Sequence, residues 1–362
     1  MAGMQGEAVY LYAFDVANEI ATQNVRAIVA GESVPFELRT DHTVPKDVPL
    51  YRPLTFALTQ RRLQLGARAV RVLVRVYEVG VVNVTMRVSF DVESLAELIP
   101  LHQPRLTSGE TFDEFARDLC ADVCQSLGPA IIRGSVPTQP EAYTVFCVTD
   151  LAGEQDVNAW FALQRKAAAG LLTETPAEQL SDAQVDESLR ICRSFSRADL
   201  VVIDWDSSLV VELDGYADDV LYVLELANVQ LEELRVMDRR LDSHLERAYR
   251  DLERRWSALW GAPTSMLTWL RRFRVDATKL ADEVSHITKF IGDWHLARVY
   301  LGASERFHLD HWQQSIDKRL AQLDQVYQLI HADVYERRMV WLEAAIVVLF
   351  VIDLLALFFW KG

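Results

Sequence analysis

The chain has 362 residues, half of them hydrophobic and a quarter charged, which excludes an intrinsically disordered protein and leaves room for two subdomains. A formal net charge of -15 excludes a general nucleic-acid coat, because phosphate binding rests on cationic side chains that release counterions. The four cysteines, Cys120, Cys124, Cys147 and Cys192, are too few and too scattered for a disulfide framework and fit a reducing compartment.

The first residues, MAGMQGEAVYLYAFDV, lack the cationic start and apolar core of a secretory signal, so the body is expected in the cytoplasm. Val9 to Phe14 is the first predicted strand, followed by loops rich in proline at Pro35, Pro45, Pro49 and Pro53. Val70, Val72, Val74 and Val76 alternate with polar or larger residues, and so do Val82, Val84, Met86, Val88 and Phe90. This period of two predicts a pair of strands with a turn or bulge near Gly80. Thr111 and Glu114 form a capping-box pattern ahead of Phe112, Phe115, Leu119, Val123 and Leu127, which predicts a helix packed on the sheet.

Gly134, Pro137 and Pro140 mark a linker and a candidate sub-boundary over 133–141. A strand from Tyr143 to Val148 follows, then helices over 156–172 and 182–194, and a strand pair of Leu200 to Ile203 with Leu209 to Glu212. From Asp218 onward the signals become helical. Leu224, Ala227, Leu231, Leu234, Met237, Leu241, Leu245, Ala248 and Leu252 step by three or four residues, as a bundle or coiled-coil seam does. Gly261 and Pro263 interrupt that seam, a helical stretch over 265–301 ends near Gly302, and Asp310 is placed to cap a final helix. In that helix Trp312, Ile316, Leu320, Leu323, Tyr327, Ile330 and Val334 form another stripe.

The segment Met339 to Trp360 carries only two charges, Glu343 and Asp353, and as a helix would extend about 33 Å. Trp341 and Trp360 stand near its ends, with Arg337 and Arg338 before it and Lys361 after it, the flanks expected at membrane interfaces. The expectation is an α+β fold. A mixed or antiparallel sheet with packed helices would occupy 1–215, and a long-helix bundle or coiled-coil stalk 216–338. One transmembrane helix over 339–360 would tail-anchor the chain in a bilayer, as a single-pass protein of a bacterial inner membrane. Asp353 would then lie in hydrocarbon and pair with a second copy or another membrane protein, while Glu343 reaches the headgroups or a partner.

The stretch from Ile316 through ERRMVWLEAAIVVLFVIDLL resembles the "required for meiotic nuclear division" family, in which an amphipathic helix precedes a Leu-Glu pair, an apolar run and a second acidic residue. Here those are Leu342, Glu343 and Asp353, and YEVGVVNV at Tyr77 to Val84 is similar to the family's Gly-Val-Val strand. The resemblance implies a membrane-anchored protein without a known catalytic centre and, through some members, a tether for ribosomes. A tether of that kind needs a basic face. The sets here are Arg61, Arg62, Arg68, Arg71 and Arg75, and Arg254, Arg255, Arg271, Arg272 and Arg274, which also fit solvated, charge-balanced faces.

Asp204, Trp205, Asp206, Ser207 and Ser208 follow an apolar strand as the acidic loop of haloacid-dehalogenase-type phosphatases does, or else form an acidic hairpin turn. His308, Asp310 and His311 are close-set metal-ligand types without a third and fourth ligand at motif spacing. Cys120 and Cys124 sit one turn apart, as buried free thiols do. No P-loop, dinucleotide-binding glycine motif, nucleophile elbow or zinc-protease motif occurs, and no cofactor is expected. The functional expectation is a non-catalytic scaffold or tether that forms a homo-oligomer and recruits a cytosolic partner. The alternatives are a membrane-tethered phosphohydrolase using Asp204 and Asp206, or a regulator that signals through its stalk.

Overall fold

The computed structural model describes residues 3–21, 25, 32–34, 52–58, 63–135, 139–253, 272–278 and 293–360. The chain divides into two compact units, one of Met1–Leu234 with Glu283–Asp310 and one of Arg235–Asp282 with His311–Gly362.

The first unit is organised by a ten-stranded sheet. Its spine is β1 (Met4–Asp15), the segment of which Val9 to Phe14 is the most apolar part. The remaining strands are β2 (Ala17–Ile20), β3 (Glu32–Val34), β4 (Leu54–Ala57), β5 (Leu63–Leu65), β6 (Arg68–Val76), β7 (Val81–Val92), β8 (Ile131–Gly134), β9 (Glu141–Asp150), β10 (Ile191–Arg193), β11 (Asp199–Ile203) and β12 (Ser207–Glu212). The order is β10-β11-β12-β9-β1-β7-β6-β4-β3, with β5 also on β6, and β2 and β8 form a separate pair. β12 lies parallel to β9, whereas β1 is antiparallel to both β7 and β9. Gly80 closes the β6–β7 turn at φ 97°, and its carbonyl accepts from Val16 N at 2.9 Å. A Cβ there would fall 2.1 Å from the Ala17 carbonyl oxygen, so both the conformation and the space require glycine.

Alternation decides which side each strand buries. Val82, Val84, Met86, Val88 and Phe90 join Tyr10, Tyr12 and Phe14 in one core. The 3-10 helix Leu95–His102, α1 (Phe112–Leu127) and α2 (Val157–Leu172) contribute to it. α1 starts as its sequence indicates. The Thr111 hydroxyl accepts from Glu114 N at 3.2 Å, and the Glu114 carboxylate accepts from Thr111 N at 2.9 Å. The segment expected as a helix over 182–194 is shorter, with α3 (Asp182–Ser188) giving way to β10.

The opposite face presents Asn83, Thr85, Arg75 and Tyr77 to α4 (Ala217–Glu253). From Asp219 to Leu234 every residue of α4 is buried, including Glu225, Asn228 and Gln230. Tyr77 donates to Glu225 at 2.7 Å and Arg75 pairs with the same carboxylate. Asn228 Nδ2 donates to the Glu141 carbonyl at 3.1 Å, and Tyr300 donates to Gln230 at 2.6 Å. The start of the expected stalk is thus a sheet-covering helix, because its polar residues find partners inside the first unit. α5 (Trp294–Arg306) covers the β10–β11 edge. It runs through Gly302 instead of ending there: a Cβ at that position would lie 2.9 Å from Ile191 Cγ2 and 3.4 Å from Ile203 Cδ1. The two strands flanking 133–141, β8 and β9, belong to one compact unit.

The second unit is helical: α4 from Arg235 onward, helical residues 272–278, and α6 (Leu309–Trp360) from His311 onward. Leu241, Phe273, Ile316, Leu320, Leu323 and Val326 are buried in it. Arg319 reaches Asp238 at 3.3 Å and also pairs with Asp242, and Arg274 pairs with Asp324. α6 begins at Leu309, so Asp310 lies within its first turn instead of preceding it. The break at Gly261 and Pro263 lies outside the described residues.

The expected transmembrane helix is corrected by the structure. Among the described residues, no helix is long and apolar enough to cross a membrane. Glu343 and Asp353 limit the uninterrupted apolar run between them to Ala344–Ile352, about 13.5 Å of helix against a hydrocarbon core of roughly 30 Å. The single-pass topology, the tail anchor and the inner-membrane location all depended on that span and fall with it.

Candidate functional site

The acidic stretch after β11 is a tight turn joining two antiparallel strands. Asp204 N donates to the Ser207 carbonyl at 2.9 Å. The hydroxyl of Tyr143 lies 3.1 Å from the Asp204 carbonyl oxygen and 2.9 Å from that of Ser207, and Ser207 Oγ donates to the Leu172 carbonyl at 3.1 Å. Strand, helix and turn therefore meet at one end of the sheet.

The carboxylate of Asp204 is spoken for. Its Oδ1 accepts from Trp205 N at 2.9 Å and from Arg306 Nε at 3.0 Å, and Arg306 Nη2 makes a second contact to it. Arg306 also donates through Nη1 to Glu187 at 2.8 Å. The Asp204 and Arg306 side chains are 7% and 4% exposed, so this is a buried pair that holds α5 to the turn. Burial opposes the guanidinium charge, but the bonds to Asp204 and Glu187 outweigh it and hold Arg306 above its ordinary pKa. The indole of Trp205 packs on the His308 ring, centroids 4.9 Å apart, with the Arg306 guanidinium carbon 5.8 Å from the indole.

Asp206 is exposed at the turn, where partial desolvation, then Asp204 and Glu174, raise its pKa and His102 opposes them. His102 Nε2 is 2.7 Å from the Leu171 carbonyl, which can only accept, so that nitrogen carries the proton. Its Nδ1 is 3.5 Å from Glu174. Burial dominates and lowers the His102 pKa despite Glu174, Leu171 and Asp206.

An aspartate nucleophile needs an accessible oxygen and a partner carboxylate around magnesium. Asp204 offers a buried oxygen shared by Arg306, on an antiparallel hairpin. Among the described residues, no group of three or more His, Cys, Asp or Glu side chains is arranged to hold a metal ion, and His308 and Asp310 with His311 form none. Arg306 and Glu187 escape sequence reasoning because Arg306 stands 102 residues from Asp204 and no spacing rule links them.

Within the basic sets, Arg71 pairs with Glu7, Arg75 with Glu225, and Arg274 with Asp324. Arg61, Arg62, Arg254, Arg255 and Arg271 lie outside the described residues. Cys120 and Cys124 are thiols with sulfurs 3.9 Å apart. On α6, Trp341, Glu343 and Asp353 are exposed. Arg337, Arg338 and Trp360 are helical in backbone, and their side chains lie outside the described ones.

Fold and turn together define a mixed-sheet domain with helices on both faces and a helical extension, whose best-formed polar cluster ties elements together. The chain belongs to the family described as "Uncharacterized protein MJ0711, N-terminal domain", which matches residues 5–218. That range takes in every strand of the large sheet and ends at the start of α4. Uncharacterized protein MJ0711 of Methanocaldococcus jannaschii is 21% identical over 216 residues, 59% of this chain and 65% of that one. The chain thus spans slightly less than two thirds of that relative. No solved structure matches.

This family replaces the expected "required for meiotic nuclear division" relationship, to which nothing points. The resemblance drew on α6, outside the matched range, where an amphipathic helix entering an apolar run is a common pattern. Its second element, YEVGVVNV, is the β6–β7 turn, where the glycine answers to backbone geometry. The ribosome expectation rested on the same resemblance.

Proposed function

We propose that the protein is a non-catalytic scaffold: copies assemble through the far end of α6, and the sheet unit recruits a partner. One observation carries the assembly. Ile346, Val347, Val348, Leu349, Phe350, Val351 and Ile352 are consecutive on one helix and all exposed, so apolar surface runs around its whole circumference. A helix apolar on all sides is normally buried, and each such side chain contributes about 1.5–3 kcal/mol when covered. A second copy supplies a matching surface. Asp353, one residue beyond, would then act as a single polar position that fixes register. The sequestration of Asp204 by Arg306 supports the non-catalytic part of the reading.

Light scattering on the intact chain tests it. The expected result is a discrete oligomer that Val348→Glu with Ile352→Glu converts to monomer. A monomeric native chain, or one that takes up detergent or lipid in place of a second copy, overturns the reading.

A further inference from the structure

The C-terminal end of α2 holds a polar pair that the scaffold reading does not use. His102 closes the 3-10 helix Leu95–His102, and its side chain is 4% exposed. Two neighbours fix the ring. Phe146 packs edge-on against it, centroids 4.8 Å apart, and the Leu171 carbonyl takes the Nε2 proton at 2.7 Å. With the proton on Nε2, the neutral ring carries a lone pair on Nδ1. That nitrogen stands 3.5 Å from Glu174 Oε1.

A lone pair and a carboxylate oxygen are both acceptors, so neither satisfies the other. Something positive belongs between them, a proton or a cation. Their separation discriminates among cations: two donors each about 2.1 Å from a tetrahedral ion stand about 3.4 Å apart, and about 3.0 Å apart around an octahedral one. The surroundings are those of metal ligands. A ligating histidine commonly gives its other ring N–H to a backbone carbonyl, and a ligating carboxylate is itself hydrogen-bonded. Leu171 takes the first part here, and Gln103, whose Nε2 donates to Glu174 Oε2 at 3.4 Å, takes the second. The Glu174 side chain is 43% exposed, so the pair opens to water. Asp206 is exposed on the adjoining β11–β12 turn, which Ser207 ties to α2 through the Leu172 carbonyl, and it lies within electrostatic reach of both His102 and Glu174.

We propose that His102 Nδ1 and Glu174 Oε1 bind one divalent ion of the zinc class, with waters completing a tetrahedron and the Asp206 carboxylate accepting hydrogen bonds from them. An imidazole donor favours zinc, nickel or copper over magnesium and calcium, which prefer oxygen. Among the described residues no three side chains of ligand type converge. Two protein ligands therefore make this an exchangeable ion, not a buried structural one. Bound there, it ties the Leu95–His102 segment to the end of α2. The site goes beyond the scaffold reading and does not depend on assembly through α6.

The test titrates cobalt(II), whose visible absorption reports its coordination, into the intact chain and then adds zinc in competition. The expected result is a tetrahedral cobalt spectrum that saturates at one ion per chain, is displaced by zinc, and is weakened at least about tenfold by His102→Gln and by Glu174→Gln. His102→Gln keeps an N–H for the Leu171 carbonyl and removes only the Nδ1 donor, so circular dichroism should report native folding. Glu174→Gln changes a solvent-facing side chain and carries the test if His102→Gln does not fold. Cys120→Ser with Cys124→Ser should leave the spectrum unchanged. A thiolate-to-cobalt band that disappears in the cysteine variant, equal binding by the native chain and Glu174→Gln, or no uptake of either metal overturns the site; in the last case a proton closes the gap between Nδ1 and Glu174.

Discussion

Removing Arg306 should be among the most damaging single changes in the sheet unit. The guanidinium is 4% exposed and pairs with an Asp204 carboxylate that is 7% exposed, so Arg306→Ala leaves a buried negative charge without its partner. Breaking a buried pair in this way costs about 3–5 kcal/mol, a large fraction of the roughly 5–15 kcal/mol that holds a domain folded. The Glu187 contact adds little, because that carboxylate is exposed and stays hydrated when released. The pair is better removed than broken. Arg306→Met with Asp204→Asn keeps an acceptor for Trp205 N, fills the guanidinium space and should recover most of the loss. Urea unfolding followed by far-ultraviolet circular dichroism, carried through the double-mutant cycle, measures the coupling. A cost below about 1 kcal/mol for Arg306→Ala, or a double variant no better than the single, would refute the argument that this pair ties α5 to the turn.

Gly302→Val should overpack the contact of α5 with Ile191 and Ile203 and cost about 1–3 kcal/mol, read as a lower urea midpoint; an unchanged midpoint would count against it. Asp206 has a folded-state pKa above its ordinary 3.8, so the folded state holds its proton more tightly and stability falls as pH rises through that window. Asp206→Asn should therefore stabilise the protein at neutral pH and lose that advantage toward pH 3, which urea titrations at the two pH values would show. Burial pushes the Cys147 thiol up to about 12, and Cys120 is buried too, whereas Cys124 is half-buried and its hydrogen bond with Cys120 lowers its pKa. Alkylation of the native chain followed by peptide mass analysis should label Cys124 well before Cys147 or Cys120.

Local order was legible because its causes are local. Alternation across Val70 to Phe90, a glycine needed at position 80, the Thr111–Glu114 box and the Leu200–Glu212 hairpin each involve residues one turn or one strand apart. The same reasoning stretched too far at α3, whose helical pattern hides the three-residue strand Ile191–Arg193. A strand that short carries too few alternations to compete with a neighbouring helix signal. At the far end of α6, length and flanks match those of a membrane span, while Glu343 and Asp353 divide the apolar run.

By itself, the amino-acid sequence determined the alternating strands, the caps and turns, the acidic balance and the change from sheet to helix near residue 217. Those properties follow from backbone sterics and from the periodicity of apolar side chains. Only the tertiary structure decided that β9 lies between β1 and β12, that α4 is buried on every side from Asp219 to Leu234, and that Arg306 closes over Asp204. Each of these joins residues far apart in the chain. Which distant groups meet depends on which faces remain after nearer ones have packed, and no local spacing records that outcome.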